Sequence, residues 1–229
     1  MTCINIANAT VVHNGPVTIG QTIKFGTQEV GGYRIYSWRG PNNYTNQYPD
    51  DSITYAELKH EGWYYLSLFS ANGGCQKIDS FYMDVKLQQG TAPCTVTANS
   101  TSFNNLPNNS YTSIVKGIDP SLSQKWLNCN GPSSANLQVY FHTGWRTKEP
   151  EDGIYVTQNT PVFDQTDYNY NKVFISTTKS SLYWSSHANQ TVYVSHAGTK
   201  LQVRFCNLSM SGYNGTSFTT IASGNIIEQ

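Results

Sequence analysis

Five aromatic side chains in the second half of the chain have the chemistry of a sugar-binding surface. Sugars stack the apolar C–H faces of their rings on exposed aromatic rings, while nearby Asn, Gln and Asp side chains bind the hydroxyl groups. The rings fall in or beside predicted loops, at Trp145, Tyr168, Tyr170, Tyr183 and Trp184. They predict a glycan-binding platform on a rigid scaffold. The alternative is that Trp145 and Trp184 lie at the edge of the core and that the tyrosines decorate turns.

A second candidate site is the loop from residue 164 to residue 171. It places four oxygen-bearing side chains between two strands, at Asp164, Asp167, Asn169 and Asn171. Calcium prefers such oxygen ligands, but the spacing is not that of an EF-hand. The loop therefore predicts a calcium site as an alternative to a solvated Asx-rich turn. No other cofactor is expected.

The sequence predicts no catalytic residue. Acidic residues cluster at Asp50-Asp51 and at Glu149-Pro-Glu-Asp152, both in turns, where carboxylates cap and solvate the chain. Glycoside hydrolysis would need two carboxylates that converge on one cleft. The histidines have no metal-ligand spacing, and no Gly-x-Ser-x-Gly elbow is present. We therefore expect a non-catalytic protein, with a hydrolase as the alternative.

The elements that must position these residues are β-strands, because apolar and polar residues alternate along most of the chain. Breakers such as Asn14-Gly-Pro16 and Gly40-Pro-Asn-Asn43 separate the strands, and a helical turn is suggested only between residues 52 and 60. In the first half we predict strands at Thr18–Phe25, Arg34–Trp38, Gly62–Phe69 and Ser80–Leu87. In the second half we predict strands at Ser113–Lys116, Asn136–His142, Gly153–Thr157, Lys172–Ser176, Gln190–Ser195, Lys200–Cys206 and Ser217–Ala222.

The polar segment Gln88-Gln-Gly-Thr-Ala-Pro93 marks a domain boundary. The fold class is therefore all-β, with two tandem β-sandwich domains at residues 1–90 and 91–229. We expect the first to be a spacer and the second to carry any recognition.

The five cysteines favour disulfides, since no C-x-x-C pair or zinc-ligand spacing occurs. We predict the pairs Cys3–Cys75 and Cys129–Cys206, because each would join strands within one half. Cys94 is then left over. Cys3 follows a start that looks like the site of a removed export signal, so a lipid-anchor cysteine is an equal alternative for it.

The composition indicates an exported protein. Charged residues make up 12% of the 229 residues, and the 14 basic residues balance the 14 acidic ones. A neutral chain lacks the basic face that nucleic acid requires, and it carries no apolar run long enough for a transmembrane helix. We expect an extracellular or outer-surface location, with glycans or other surface proteins as partners.

Four segments of the first half form a recognisable series: Tyr36-Ser-Trp38, Gly40-Pro-Asn42, Glu61-Gly-Trp-Tyr64 and Gly73-Gly-Cys75. In this series the first half resembles the PKD-like or immunoglobulin-like modules of Bacteroidetes surface proteins. The resemblance implies that Trp38 and Trp63 belong to the core. Asn43 stands where the family has Gly. The family's cysteine near residues 17 to 19 is absent, so Cys3 is the candidate to replace that cysteine in the family's disulfide.

The second half has a series of its own, at residues 148–155, 190–194, 203–207 and 222–227. In these segments it is similar to an uncharacterised domain of lipoproteins from the same bacteria. The resemblance implies a surface location and no catalytic residues. The expected function is a structural or adhesive surface role, and the alternative is carbohydrate binding by the aromatic residues of the second domain.

Overall fold

A computed structural model describes residues 4–28, 34–71, 74–119, 124–142, 149–164, 170–179 and 182–229. The fold is all-β, as predicted. Within those ranges the helical elements are a four-residue helix, α1 (Ile4–Ala7), and a 3₁₀ turn at Leu58–His60. None of the helices in those ranges is long and apolar enough to cross a membrane. The chain divides into two compact units, Met1–Lys86 and Leu87–Gln229, whereas the sequence places the boundary between residues 90 and 91.

In its described residues the first unit contains nine strands in three sheets. The four-stranded sheet has the order β5-β4-β7-β8, the three-stranded sheet has the order β1-β3-β6, and β2 pairs in parallel with β9. A turn through Gly20 divides the long strand predicted at residues 18–25 into β2 and β3. The strands are β1 (Val11–His13), β2 (Val17–Thr18), β3 (Ile23–Thr27), β4 (Arg34–Arg39), β5 (Thr45–Asn46), β6 (Asp50–Ile53), β7 (Gly62–Ser70), β8 (Gln76–Met83) and β9 (Val85–Lys86).

Aromatic rings from both main sheets form the core of the first unit. Phe25 on β3 contacts Trp38 on β4 with ring centroids 5.1 Å apart, and it also contacts Tyr64 on β7 and Phe81 on β8. Trp38 and Tyr64 are fully buried. Because the sheets meet through these rings, the unit is a β-sandwich. The prediction that Trp38 lies in the core is confirmed.

The described part of the second unit contains eleven strands that form one hydrogen-bonded sheet, with the order β11-β10-β20-β19-β18-β15-β16-β14-β13-β12 and with β17 between β16 and β19. Two strands, β14 and β15, have the predicted bounds. The strands are β10 (Ser100–Phe103), β11 (Asn109–Ser110), β12 (Ser113–Asp119), β13 (Gln124–Asn130), β14 (Asn136–His142), β15 (Gly153–Thr157), β16 (Lys172–Lys179), β17 (Leu182–Ser186), β18 (Thr191–Ala197), β19 (Lys200–Tyr213) and β20 (Ser217–Ile227).

This large sheet folds over into two layers. Lys179 on β16 hydrogen-bonds to Asn109 on β11, although five strands lie between these two in the sheet order. Lys116 on β12 reaches Glu228, just after β20, at 3.1 Å. The inner face is apolar and includes Leu137, Val139, Val203 and Phe205, all fully buried. On the outer face of β13 and β14, the side chains of Trp126, Asn128, Gln138 and Tyr140 are half-buried.

The disulfide predicted between Cys129 and Cys206 is wrong. Cys206 pairs with Cys94, across 112 residues, and Cys129 is a buried free thiol. On β19 the register shifts between Phe205 and Leu208, both of which are buried, and Cys206 is half-buried between them. The sulfur of Cys206 therefore bonds to Cys94, in the segment before β10, and not to the buried thiol of Cys129 on β13. Cys75 is disulfide-bonded, and Cys3, its predicted partner, lies outside the described residues.

Candidate functional site

The outer face of the second unit carries a groove of about 400 Å³, which we call the Trp126 groove. A volume of this size falls in the range of small-ligand sites. The groove combines rings, amides, one carboxylate and an apolar rim, and its lining residues are Asp119, Gln124, Trp126, Leu127, Asn128, Gln138, Tyr140, Pro161 and Val162.

Strand register places the polar and aromatic side chains of the groove side by side. Trp126 on β13 lies opposite Tyr140 on β14, and Asn128 lies opposite Gln138 one pleat further along. Side chains two residues apart on a strand share a face. The alternate residues of β13 and β14, such as Leu127 and Val139, are fully buried. Burial of that set turns the two rings and the two amides outward together.

A glycine beneath the indole sets the orientation of Trp126. Gly117 on β12 is the cross-strand partner of Trp126. A Cβ atom at Gly117 would lie 2.0 Å from Cζ2 of the indole, closer than any real contact. The absence of a side chain at this position therefore lets the ring lie across β12, as aromatic rings do over glycines in sheets.

Two amide side chains in the groove have unused hydrogen-bonding capacity. The amides of Asn128 and Gln138 make no hydrogen bond to any residue in the described ranges, and neither does the indole N–H of Trp126. Each amide offers two N–H donors and one carbonyl acceptor. The groove therefore presents N–H donors to the oxygen of a ligand hydroxyl and carbonyl acceptors to its hydrogen.

Tyr140 is held in place by its neighbours. Its ring packs against buried Phe174 on β16, with centroids 6.2 Å apart. Partial burial raises the pKa of Tyr140, and the nearby Tyr183 raises it further. The phenol therefore stays protonated at neutral pH and keeps its donor hydrogen.

The rim of the groove is anchored to β13. The buried amide of Gln124 donates to the carbonyl of Pro161 at 2.7 Å, which holds the 159–164 segment against the strand. Val162, next to this anchor, is 67% exposed and forms an apolar wall. Among the described lining residues the charged one is Asp119.

The five predicted sugar-binding rings have different environments. Trp184 is 2% exposed and packs over Gly212, so its prediction as an exposed ligand residue is wrong. Tyr183 is 51% exposed on β17, as the prediction requires. Tyr170 is half-buried against the ring of His142, at 5.3 Å. Trp145 and Tyr168 lie outside the described residues.

The predicted calcium loop is described only in part. Asp164 is exposed, and the carbonyl of Asn171 accepts a hydrogen bond from Val156 at 2.8 Å. Asp167 and Asn169 lie outside the described residues. Within the described ranges no group of three His, Cys, Asp or Glu side chains comes together. Calcium binding at this loop stays a prediction.

Sequence reasoning missed Trp126 and Tyr140, although a signal was present. Strand β13 was not predicted, yet Leu127 and Cys129 alternate with Trp126 and Asn128 along it. Tyr140 lies on a predicted strand whose other face is apolar. The alternation of residue types along these two strands could therefore have predicted that both side chains point outward.

The first unit holds a second group of surface rings, which includes Trp63. Trp63 is 52% exposed, so its prediction as a core residue is wrong. On β7 the residues that point inward are Tyr64, Leu66 and Leu68, and this parity directs Trp63 and Tyr65 to solvent. Both rings lie on the outer face of the four-stranded sheet.

Comparison with known proteins gives no family for the chain. No protein-family model matches it, and no curated protein matches it. A solved structure of the three N-terminal domains of the bacteriophage RB49 Highly Immunogenic Outer Capsid protein (Hoc) is similar over 96% of this chain and 69% of that chain, at 8% sequence identity and a TM-score of 0.27. A TM-score this low supports no inference about function.

Proposed function

We propose that the protein is a non-catalytic β-sandwich module of a secreted or surface protein and that it binds a neutral oligosaccharide in the Trp126 groove. One observation carries the proposal. Two outward rings, Trp126 and Tyr140, share a groove with two amides that make no hydrogen bond within the described ranges. Rings stack on the C–H faces of a sugar while amides bind its hydroxyls, so both halves of the required chemistry are present.

The charge of the groove favours an uncharged ligand. No Lys or Arg is among the described lining residues, and Asp119 contributes a carboxylate. Without a Lys or Arg among those lining residues, the described part of the groove offers no cation for the carboxylate of an acidic sugar. A neutral sugar instead uses the amides and the tyrosine hydroxyl.

The proposal includes no catalytic step, because one carboxylate of each acidic cluster is held by structural partners. Asp51 accepts hydrogen bonds from Tyr44 and Asn46. Glu149 pairs with Lys116 at 3.1 Å and with Lys125 at 2.7 Å. A secreted or surface location is supported by the disulfides at Cys94–Cys206 and at Cys75, since such bonds persist in oxidising compartments.

The test is an array of neutral and acidic glycans probed with the full chain, with and without calcium. Trp126→Ala should lower the affinity for a bound neutral oligosaccharide by about tenfold or more, because a stacking contact is lost. The matched control is Tyr213→Ala, which removes a 69% exposed ring of the same unit outside the groove. Equal loss in both variants, or unchanged binding in Trp126→Ala, would refute the groove as the site.

A structural or adhesive role is the second candidate function. It is favoured by the outer face of the four-stranded sheet, where Ile35 is 51% and Ile78 is 65% exposed. Exposed aliphatic side chains on one sheet face are typical of protein contact surfaces. If no glycan on the array binds, this role becomes the first candidate and the search turns to protein partners.

A further inference from the structure

The first unit presents an arginine among exposed aromatic rings on the outer face of its four-stranded sheet. We call this region the Arg39 surface and define it by Arg39, Tyr48, Trp63, Tyr65 and Tyr82. The four rings are between 39% and 71% exposed. The region lies in a different unit from the Trp126 groove and contains an arginine, whereas the described lining of that groove contains no Lys or Arg, so its ligand has to be considered separately.

The rings of β7 and β8 form a compact cluster with fixed geometry. Trp63 and Tyr65 stack with an interplanar angle of 28° and centroids 6.3 Å apart. Tyr82 meets Trp63 edge-on at 5.7 Å, and its hydroxyl donates to the buried carboxyl group of Glu61 at 2.7 Å. Two nearly parallel rings side by side present the faces on which a pyranose ring stacks.

Arg39 lies beside this cluster with its charge uncompensated. It is the cross-strand partner of Tyr65 on one side and of Thr45 on the other. The side chain is exposed, and the guanidinium makes no ion pair or hydrogen bond within the described ranges. A guanidinium matches a carboxylate with two parallel hydrogen bonds, which makes it the natural receptor for an acidic group.

A depression of about 530 Å³ adjoins Arg39 on the side of β5. Its other described lining residues are rich in hydroxyls and amides: Ser37, Trp38, Thr45, Asn46, Gln47 and Tyr48. The indole N–H of buried Trp38 donates to the carbonyl of Tyr48 at 3.0 Å, so the core fixes this side of the depression. Hydroxyl-binding groups therefore lie on one side of Arg39 and stacking rings on the other.

From this arrangement we infer that the Arg39 surface binds an acidic saccharide, with the carboxylate of a uronic acid on Arg39. The sugar ring that carries the carboxylate stacks on Tyr65 and Trp63, and its hydroxyls meet Ser37, Thr45 and Gln47. The inference does not rest on the Trp126 groove. It adds a second binding site with the opposite preference for ligand charge.

The test measures binding of the full chain to oligomers of galacturonate, of guluronate and of glucuronate-containing hyaluronan, each beside its methyl ester. Esterification removes the negative charge and leaves the sugar ring in place. We expect the acid form of at least one oligomer to bind and its ester to bind about tenfold more weakly, because the charge-assisted hydrogen bonds to Arg39 are lost. Arg39→Gln should abolish this difference, and Trp63→Ala should weaken both forms.

Two control variants separate the possible outcomes. Lys200→Gln removes an exposed cation of the second unit and should leave binding of the acid unchanged. Trp126→Ala alters the other proposed site and should also leave binding of the acid unchanged. Loss that is equal in Lys200→Gln and Arg39→Gln would mean non-specific attraction and would overturn the inference. The inference would also be overturned if no acidic oligomer binds. It would equally be overturned if the chain self-associates in sedimentation and Trp63→Ala disrupts that association, because the surface would then be a protein contact.

Discussion

Among the described residues, each unit has one tryptophan in its core and another on its outer face, and the two outer residues differ in an instructive way. Trp63 lies among other rings on an open sheet, whereas Trp126 lies over a glycine and beside the wall at Val162. The inner residues, Trp38 and Trp184, are equally buried. The same side chain therefore builds a flat platform in one unit and a groove in the other.

The neighbours of each outer tryptophan explain this difference. Around Trp63 the neighbours are large rings, Tyr65 on the same strand and Tyr82 on the adjacent strand, so the surface stays level. Around Trp126 the missing side chain of Gly117 lowers the floor, and the segment anchored by Gln124 raises the rim. A binding surface on a sheet thus depends on the size of the residues beside the ring as much as on the ring itself.

The largest expected effect compares the two tryptophans of the first unit. Trp38→Ala should lower the free energy of unfolding by about 3–5 kcal/mol, because it empties a fully buried site among Phe25 and Phe81. Trp63→Ala should cost no more than about 1 kcal/mol, the value of an exposed aromatic pair. Urea unfolding followed by circular dichroism measures both. Similar losses in the two variants would contradict the assignment of Trp63 to the surface.

An intermediate effect is expected at the glycine beneath Trp126. Gly117→Ala should destabilise the chain by about 1–3 kcal/mol, since the new methyl group overlaps the indole and must displace it. Displacement of the ring should also weaken oligosaccharide binding in the groove. Gly74→Ala is the control, because a Cβ atom there meets no atom within 4 Å. If Gly117→Ala behaves like this control in thermal unfolding, the ring does not depend on the glycine.

The smallest expected effect is the pH dependence of the ion pairs at Glu149. Partial burial raises the pKa of Glu149, but hydrogen bonds from Lys125 and Lys116 outweigh it, and the net pKa lies below its ordinary value of 4.5. The ionised carboxylate therefore stabilises the fold above that value, and this contribution is lost as the pH falls through the lowered pKa. Because Glu149 is half exposed, we expect a loss of no more than about 1 kcal/mol in Glu149→Gln near neutral pH.

Urea unfolding across the acid range checks the sign of this effect. The difference between Glu149→Gln and the unaltered chain should shrink as the pH falls below 4.5. Glu151→Gln is the control, since the side chain of Glu151 makes no ion pair within the described ranges. A difference that persists unchanged into strong acid would exclude the ion pairs as its cause.

Particular strands show how far the sequence predicted the fold and the sites. Asn136–His142 and Gly153–Thr157 were predicted with their observed bounds, because buried and half-buried residues alternate along them, except at His142, which is buried beside Phe141. The 3₁₀ turn at Leu58–His60 falls within the one segment that suggested a helical turn. The sites were harder to predict, because the rings of Trp145 and Trp184 were chosen for their position in loops, whereas the observed groove lies on strands.

The sequence by itself determined the all-β class and the inward or outward side of residues along single strands, because a period of two is a local property of the chain. The tertiary structure decided which strands become neighbours. It brought Cys94 to Cys206 across 112 residues and left Cys129 as a free thiol. It also set Trp126 against Tyr140 and Arg39 against Tyr65, because cross-strand register depends on packing between segments whose pairing no local pattern encodes.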